Sequence, residues 1–209
     1  MAWTQIDLPG ADIALDPQWL PPAEADALMR TLLEAIPWQT HRIRLFGREV
    51  DSPRLSCWIG DPGAAYAYSG ARFEPHPWPP GLQPIRRRVA AACDTDFNSV
   101  LANLYRDGRD AMGWHRDDER ELGPCPVIAS LSLGATRRFL LKPVARVAGA
   151  AAGSRRRGGD GDARTGLDLD HGSLLLMGGE TQRHYRHALP RTARPVGPRI
   201  NLTFRRIQR

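Results

Sequence analysis

The sequence predicts an α+β chain that is mainly β, a sandwich or barrel with helices along one side. Three observations lead there. Short runs alternating apolar and polar residues recur along the chain, most of them closed by glycine or proline. Only two stretches carry apolar side chains at helical spacing. Hydrophobic residues make up 42% of the 209 and charged residues 25%, a balance that suits one full core.

The elements follow in order. Pro9-Gly10 and Pro17 break the N-terminal segment, and Ile13 and Leu15 between them alternate with Asp12, Ala14 and Asp16, which predicts a short strand inside a loop. Pro21-Pro22-Ala23-Glu24 opens a helix with proline in its first turn and an acid near its positive end. Leu28, Leu32, Leu33 and Ile36 supply its apolar face, and Pro37 stops it. His41, Ile43 and Leu45 alternate with Arg42 and Arg44, a strand ending in a turn at Gly47. Phe46 at that turn reads either as a core side chain or as an apolar tip among arginines. Arg54 to Ile59 form the next strand, closed by Gly60-Asp61-Pro62-Gly63. Tyr66 and Tyr68 share a face of a further strand, as a platform for stacking a base or as half-buried sheet aromatics.

A proline-rich connector over 74–84 leads into a helix from about Leu82 or Gln83 to Cys93, with Arg86, Arg87 and Arg88 on its exposed side. Residues 98–105 read as a strand whose one face carries Leu101, Asn103 and Tyr105, a polar floor within a sheet. Val127 to Leu133 and Arg138 to Lys142 are apolar strands around a turn at Gly134. Residues 145–166, rich in Ala, Gly and Arg, bury too little surface to pack and read as a flexible loop. His171 to Gly179 is an apolar strand between glycine turns.

Basic residues number 29 against 23 acidic, a net charge of +6. That balance suits a polyanionic partner, nucleic acid first, and equally a composition rich in arginine, Lys142 being the one lysine. No apolar run approaches the ~18 residues of a membrane span. The N-terminus lacks a signal-peptide pattern, and the three cysteines are odd in number without CxxC spacing. A cytoplasmic chain is expected, or a nuclear one in a eukaryote, rather than a secreted one.

The chemistry concentrates in Gly113-Trp114-His115-Arg116-Asp117-Asp118. On a strand His115 and Asp117 would project the same way. An imidazole and a carboxylate are two of the three donors of a facial iron site, which needs a second histidine. His184 and His187 both stand near enough, and spacing does not choose between them. The last strand places Arg199, Asn201, Thr203 and Arg205 on one face and Ile200, Leu202 and Phe204 on the other. Two buried guanidiniums require anions, and a small dicarboxylate would satisfy both in bidentate fashion. The alternative is an edge strand with its arginines in water.

Together these motifs resemble the AlkB-type Fe(II)/2-oxoglutarate dioxygenases, most closely the AlkB homologue 2 and 3 type. The resemblance rests on Asn103 to Gly108, Trp114 to Leu122, Ser132 to Arg137, His171 to Leu175, His187 to Pro190 and Arg199 to Arg205. It implies one dioxygenase domain over 1–209, with a double-stranded β-helix (jelly-roll) core over about 98–207 and a nucleotide-recognition lid over about 40–72. It implies Fe(II) on His115, Asp117 and His187. It further implies 2-oxoglutarate held by Arg199 and Arg205 with help from Asn103, Tyr105, Asn201 and Thr203, and O2 as oxidant. In the lid, Tyr66, Tyr68 and Ser69 match base contacts, Asp118 a substrate-contacting acid with Glu119 beside it, Phe46 a finger filling the gap left by an extracted base, and Arg54 a phosphate contact. The implied activity is oxidative removal of N-linked alkyl groups from DNA bases, single- or double-stranded, by a monomer that binds no membrane. An RNA or protein demethylase of the same fold, or a non-catalytic nucleic-acid-binding module, are the alternatives.

Overall fold

The computed structural model describes residues 2–45, 48–68, 71–144 and 164–208, with the side chains of 43–49 and 66–73 outside that description. In chain order come β1 (Thr4–Gln5), β2 (Asp12–Asp16), α1 (Pro22–Ala35), β3 (Arg42–Leu45), β4 (Arg48–Asp51), β5 (Leu55–Gly60), β6 (Tyr66–Tyr68) and β7 (Ala71–Phe73). These are followed by α2 (Leu82–Cys93), β8 (Ser99–Tyr105), β9 (Met112–His115), β10 (Ile128–Gly134), β11 (Arg137–Pro143), β12 (Thr165–Leu169), β13 (Leu174–Gly178), the single turn α3 (Thr181–His184), β14 (Tyr185–Leu189) and β15 (Arg199–Arg205).

Two antiparallel sheets carry the fold. The larger runs β1-β2-β13-β10-β15-β8-β5 and the smaller β12-β11-β14-β9, while β3–β4 and β6–β7 are separate hairpins. From β8 onward the chain crosses repeatedly between the two sheets, which is the jelly-roll connectivity expected. One crossing is made at Gly134, whose φ of +91° suits glycine and where a Cβ would strike the Pro198 carbonyl oxygen. No helix among the described residues is long and apolar enough to cross a membrane.

Strand alternation builds two cores. Val100, Ala102 and Leu104 of β8 and Ile200, Leu202 and Phe204 of β15 pack on one face of the larger sheet with Leu28 and Leu32 of α1 and Ile85 and Val89 of α2. Burying each such side chain contributes about 1.5–3 kcal/mol. Between the sheets, Ile128, Leu175 and Met177 meet Phe139, Leu141, Leu169 and Tyr185. The remaining residues of β8 and β15 face this second space, which is where the polar floor lies.

Four details differ from the sequence expectations. The Ile13 strand is β2, a member of the larger sheet paired with β13, because its partner lies far along the chain. Leu33 is exposed: it lies about 100° round the helix from Leu32, off the stripe of Ala25, Leu28, Leu32 and Ile36. Arg86 turns inward, donating to both Asp61 carboxylate oxygens at 2.7 Å and lying over the Trp78 ring at 4.7 Å, so only Arg87 and Arg88 face outward on α2. Residues 165 and 166 begin β12 rather than end a loop, and 145–163 lie outside the described residues.

Candidate active site

The cavity between the sheets is floored by Leu101, Asn103 and Tyr105 of β8 and by Arg199, Asn201, Thr203 and Arg205 of β15. The smaller sheet supplies its other wall through His115 of β9, Phe139 of β11 and His187 of β14. Antiparallel pairing sets His187 directly opposite His115, and Asp117 follows just beyond the end of β9. The donor atoms of His115, Asp117 and His187 all lie within 4.8 Å of one another. His184 is not among them; its Nε2 lies 3.2 Å from the Glu180 carboxylate.

The ligand set is arranged to bind a cation. His115 Nδ1 lies 2.9 Å from the Gly113 carbonyl, which can only accept, so Nδ1 carries the proton and Nε2 keeps its lone pair. His187 stacks on Phe139 at 5.2 Å and meets the His115 ring edge-on at 4.2 Å. Burial, reinforced by the neighbouring His115, pushes the His187 pKa down to about 3, and burial likewise lowers that of His115. Burial alone would raise the Asp117 carboxyl, but Arg205 and the two histidines outweigh it and hold it at about 2. At neutral pH the site therefore offers two neutral imidazoles and one carboxylate, a donor set that suits Fe(II) and leaves positions open.

The floor is polar and unevenly satisfied. Arg205 Nη2 donates to Asp117 Oδ1 at 2.7 Å, with both side chains about 97% buried. Asn201 Nδ2 donates to Ser130 Oγ and the Leu131 carbonyl, and its Oδ1 accepts from Thr203. Arg199 is 2% exposed and donates Nη2 to Ser132 Oγ at 2.8 Å, while its Nε and Nη1 are buried without a hydrogen-bond partner. Its guanidinium lies 5.4 Å over the Tyr105 ring, and burial lowers its pKa to about 10. Each unmet donor costs about 1–3 kcal/mol, and an anion in the cavity could meet them, where no group among the described residues does.

The substrate-side residues are placed less uniformly. Asp118 is exposed and ion-paired with Arg116, one residue beyond the buried Asp117. Glu119 is half-buried and opens the 3-10 turn Arg120–Leu122, accepting the Leu122 N–H on its carbonyl. Tyr66 and Tyr68 lie on β6, whose side chains are outside the described residues, as are Phe46 and Ser69 altogether. Arg54, matched to a phosphate contact, lies inside the described structure. It is 5% exposed and donates Nε to Asn103 Oδ1 at 2.6 Å and Nη1 to Ser52 Oγ at 3.0 Å, because Asn103 at the floor's edge offers it an acceptor.

Sequence reasoning missed the residues that hold these groups in place. Ser130 and Ser132 grip Asn201 and Arg199, and their alternation with Leu131 and Leu133 was the available signal. Gln182 of α3 accepts the Asp117 backbone N–H at 3.0 Å, and Arg137 donates to the carbonyls of Asp107, Asp110 and Pro190 behind Tyr105. Arg137 stood in the Ser132-to-Arg137 motif without a role, and nothing local in the sequence marked Gln182.

Comparison with known proteins agrees with this geometry. DNA oxidative demethylase ALKBH2 of Mus musculus is 42% identical over 188 residues, covering 88% of this chain and 76% of that protein. The human ALKBH2 is 41% identical, covering 88% and 69%. Human alpha-ketoglutarate-dependent dioxygenase alkB homolog 3 is 37% identical, covering 93% of this chain and 66% of that protein. The solved structure of OsALKBH1 superposes with a TM-score of 0.64 at 17% identity, over 97% of this chain and 99% of that one, a likeness of fold. The model of the 2OG-Fe(II) oxygenase superfamily matches residues 12–205, and with it the chain belongs to that family.

Proposed function

We propose that this chain repairs DNA by oxidatively removing N-linked alkyl groups from bases, with 1-methyladenine and 3-methylcytosine as principal substrates and etheno adducts as further ones. Fe(II) with 2-oxoglutarate and O2 supplies the oxidation of the alkyl carbon, yielding succinate, CO2 and an aldehyde together with the restored base. The observation that carries the reading is one cavity holding both a His-Asp-His donor set and a buried guanidinium with two unmet donors. Relatives named DNA oxidative demethylase at 41–42% identity favour DNA as the nucleic acid.

The chain's own residues divide the work. His115, Asp117 and His187 would hold the metal, with Gln182 fixing the Asp117 backbone and the Gly113 carbonyl fixing the His115 tautomer. Arg199 would take the distal carboxylate of 2-oxoglutarate. Arg205, already engaged with Asp117, would stand at the metal end, with Asn103, Tyr105, Asn201 and Thr203 shaping the floor. The β3–β4 and β6–β7 hairpins would serve as the lid over about 40–72, presenting Phe46 as the finger and Tyr66, Tyr68 and Ser69 to an extracted base. Asp118 and Glu119 would meet that base from the cavity side. An alkyl group on the Watson–Crick edge has already lost the base its pairing, which lowers the cost of turning it out of the duplex.

The test is formaldehyde release from an N-methylated oligonucleotide in the presence of Fe(II) and 2-oxoglutarate. Wild-type protein should turn over and Asp117→Ala should not. Undiminished turnover by Asp117→Ala would refute the ligand set, and turnover confined to RNA or peptide would refute the substrate class.

A further inference from the structure

We propose that Arg54 is a positioning residue that locks the Asn103 side-chain amide with its NH2 group turned toward the co-substrate, which makes Arg54 part of the 2-oxoglutarate site rather than of the nucleic-acid surface. The inference rests on the reading of Asn103 as a co-substrate contact.

The argument starts from hydrogen-bond chemistry. A guanidinium has five N–H donors and no acceptor. The atom of Asn103 lying 2.6 Å from Arg54 Nε is therefore the amide oxygen, because an NH2 group there would set donor against donor. With Oδ1 committed, Nδ2 points the other way. Asn103 lines the cavity, and no protein group among the described residues accepts from Nδ2. An amide free to flip would present oxygen as often as NH2, and oxygen repels a carboxylate where NH2 would donate a charge-assisted hydrogen bond to it.

The lock is itself anchored. Arg54 Nη1 donates to Ser52 Oγ at 3.0 Å, and the Ser52 N–H donates to the His41 carbonyl at 2.8 Å. On the other side, the Pro53 carbonyl accepts the Ala111 N–H at 2.9 Å, tying this segment to the residues just before β9. Ser52 and Arg54 are both buried, so the rotamer entropy of the long arginine side chain is lost in folding rather than on ligand binding. A residue acting on phosphate needs its guanidinium at the surface, and here it is spent inside. The charge also counts. Among the described residues Asp117 is the one carboxylate lining the cavity against Arg199 and Arg205, and Arg54 adds a third cation beside Asn103, a surplus that favours a dianion.

The test uses the full chain under anaerobic conditions, with Mn(II) in place of iron, and reads 2-oxoglutarate affinity by calorimetry. Arg54→Met and Arg54→Lys should each weaken 2-oxoglutarate by at least about twofold, the statistical cost of an amide no longer held in one orientation, since lysine cannot reproduce the fork that joins Ser52 to Asn103. In a double-mutant cycle, Arg54→Lys combined with Asn103→Ala should bind no more weakly than Asn103→Ala alone. The affinity for an undamaged duplex oligonucleotide and its dependence on salt should match wild type. Intact 2-oxoglutarate affinity in Arg54→Lys, full additivity in the cycle, or a salt slope reduced by about one with 2-oxoglutarate binding unchanged would each overturn the proposal, the last identifying a phosphate contact. Arg54→Lys keeps the charge and most of the length, so it decides the question even where Arg54→Met fails to fold. Failure of the wild type itself to bind 2-oxoglutarate would instead overturn the parent reading of Asn103, and this one with it.

Discussion

Replacing Arg199 with methionine should make the free protein more stable while abolishing its response to 2-oxoglutarate. Arg199 is 2% exposed, with one hydrogen bond to Ser132 and two nitrogens buried without partners. Burial drops its pKa from 12.5 to about 10, which at 1.36 kcal/mol per tenfold corresponds to roughly 3 kcal/mol against the charged form. That penalty is fully present at neutral pH, where the group remains protonated. Methionine removes it, keeps most of the apolar stem, and forfeits the Ser132 bond, worth about 1–2 kcal/mol. The balance is a gain of about 1–2 kcal/mol, or roughly 2–8 °C in Tm for a chain of this size. Differential scanning calorimetry with and without 2-oxoglutarate reads both effects. Wild type should rise in Tm as co-substrate saturates it, and Arg199→Met should start higher and stay flat. A lower starting Tm in the variant, or a retained rise with 2-oxoglutarate, would refute the claim that Arg199 waits unsatisfied for a carboxylate.

Two further outcomes follow from the metal end. Gln182→Leu removes the acceptor of the Asp117 N–H and should weaken Mn(II) binding by roughly 10–100-fold, measured by calorimetry, while far-UV circular dichroism stays unchanged. Stability of the metal-free protein should fall with acid in a defined order. His187 has its folded pKa depressed to about 3, so the folded state stays neutral while the unfolded histidine protonates, and stability is lost as pH falls from 6.5 toward 3. Asp117, held at about 2 against an ordinary 3.8, keeps its contribution above 3.8 and loses it below. Tm measured from pH 7 to pH 4.5 should therefore drop in wild type and drop less in His187→Leu; parallel curves would argue against a buried neutral His187.

How much of this was legible in the sequence depends on the range of the interaction that fixes each residue. The polar face of β15 was legible because alternation on a strand is local, and its apolar partners Ile200, Leu202 and Phe204 could only face a core. The boundaries of α2 were legible for the same reason. The choice of His187 over His184 came from the family resemblance and not from spacing, because it is made by the register that sets His187 opposite His115, a pairing of strands about seventy residues apart in the chain. β1 and β12 escaped notice since strands of two to five residues owe their existence to partners elsewhere. Arg54 and Arg86 both turn inward, and for a common reason. Arginine at the start of a strand or on a helix is ordinarily solvated, and only the folded chain shows Asn103 and Asp61 waiting to receive them.

The two arginines of β15 look equivalent in sequence and are not equivalent in the fold. Arg205 has its anion within the protein, at 2.7 Å on Asp117, and that same anion belongs to the metal-ligand set. Arg199 has only a serine hydroxyl. The chain therefore neutralises the cation beside the metal donors and leaves the distant one unmet. Asp117 stays ionised through its ion pair, and both histidines stay neutral through burial, so a metal can enter at neutral pH without displacing protons. On the proposed reading Arg199 would gain its missing partner when a carboxylate reaches that part of the cavity. A ligand with a single carboxylate bound at the metal would leave that cost in place, whereas one with a second carboxylate at the right distance removes it. Selectivity for a dicarboxylate over a monocarboxylate would then arise from the relief of an unsatisfied buried cation, a larger difference than one surface contact could provide.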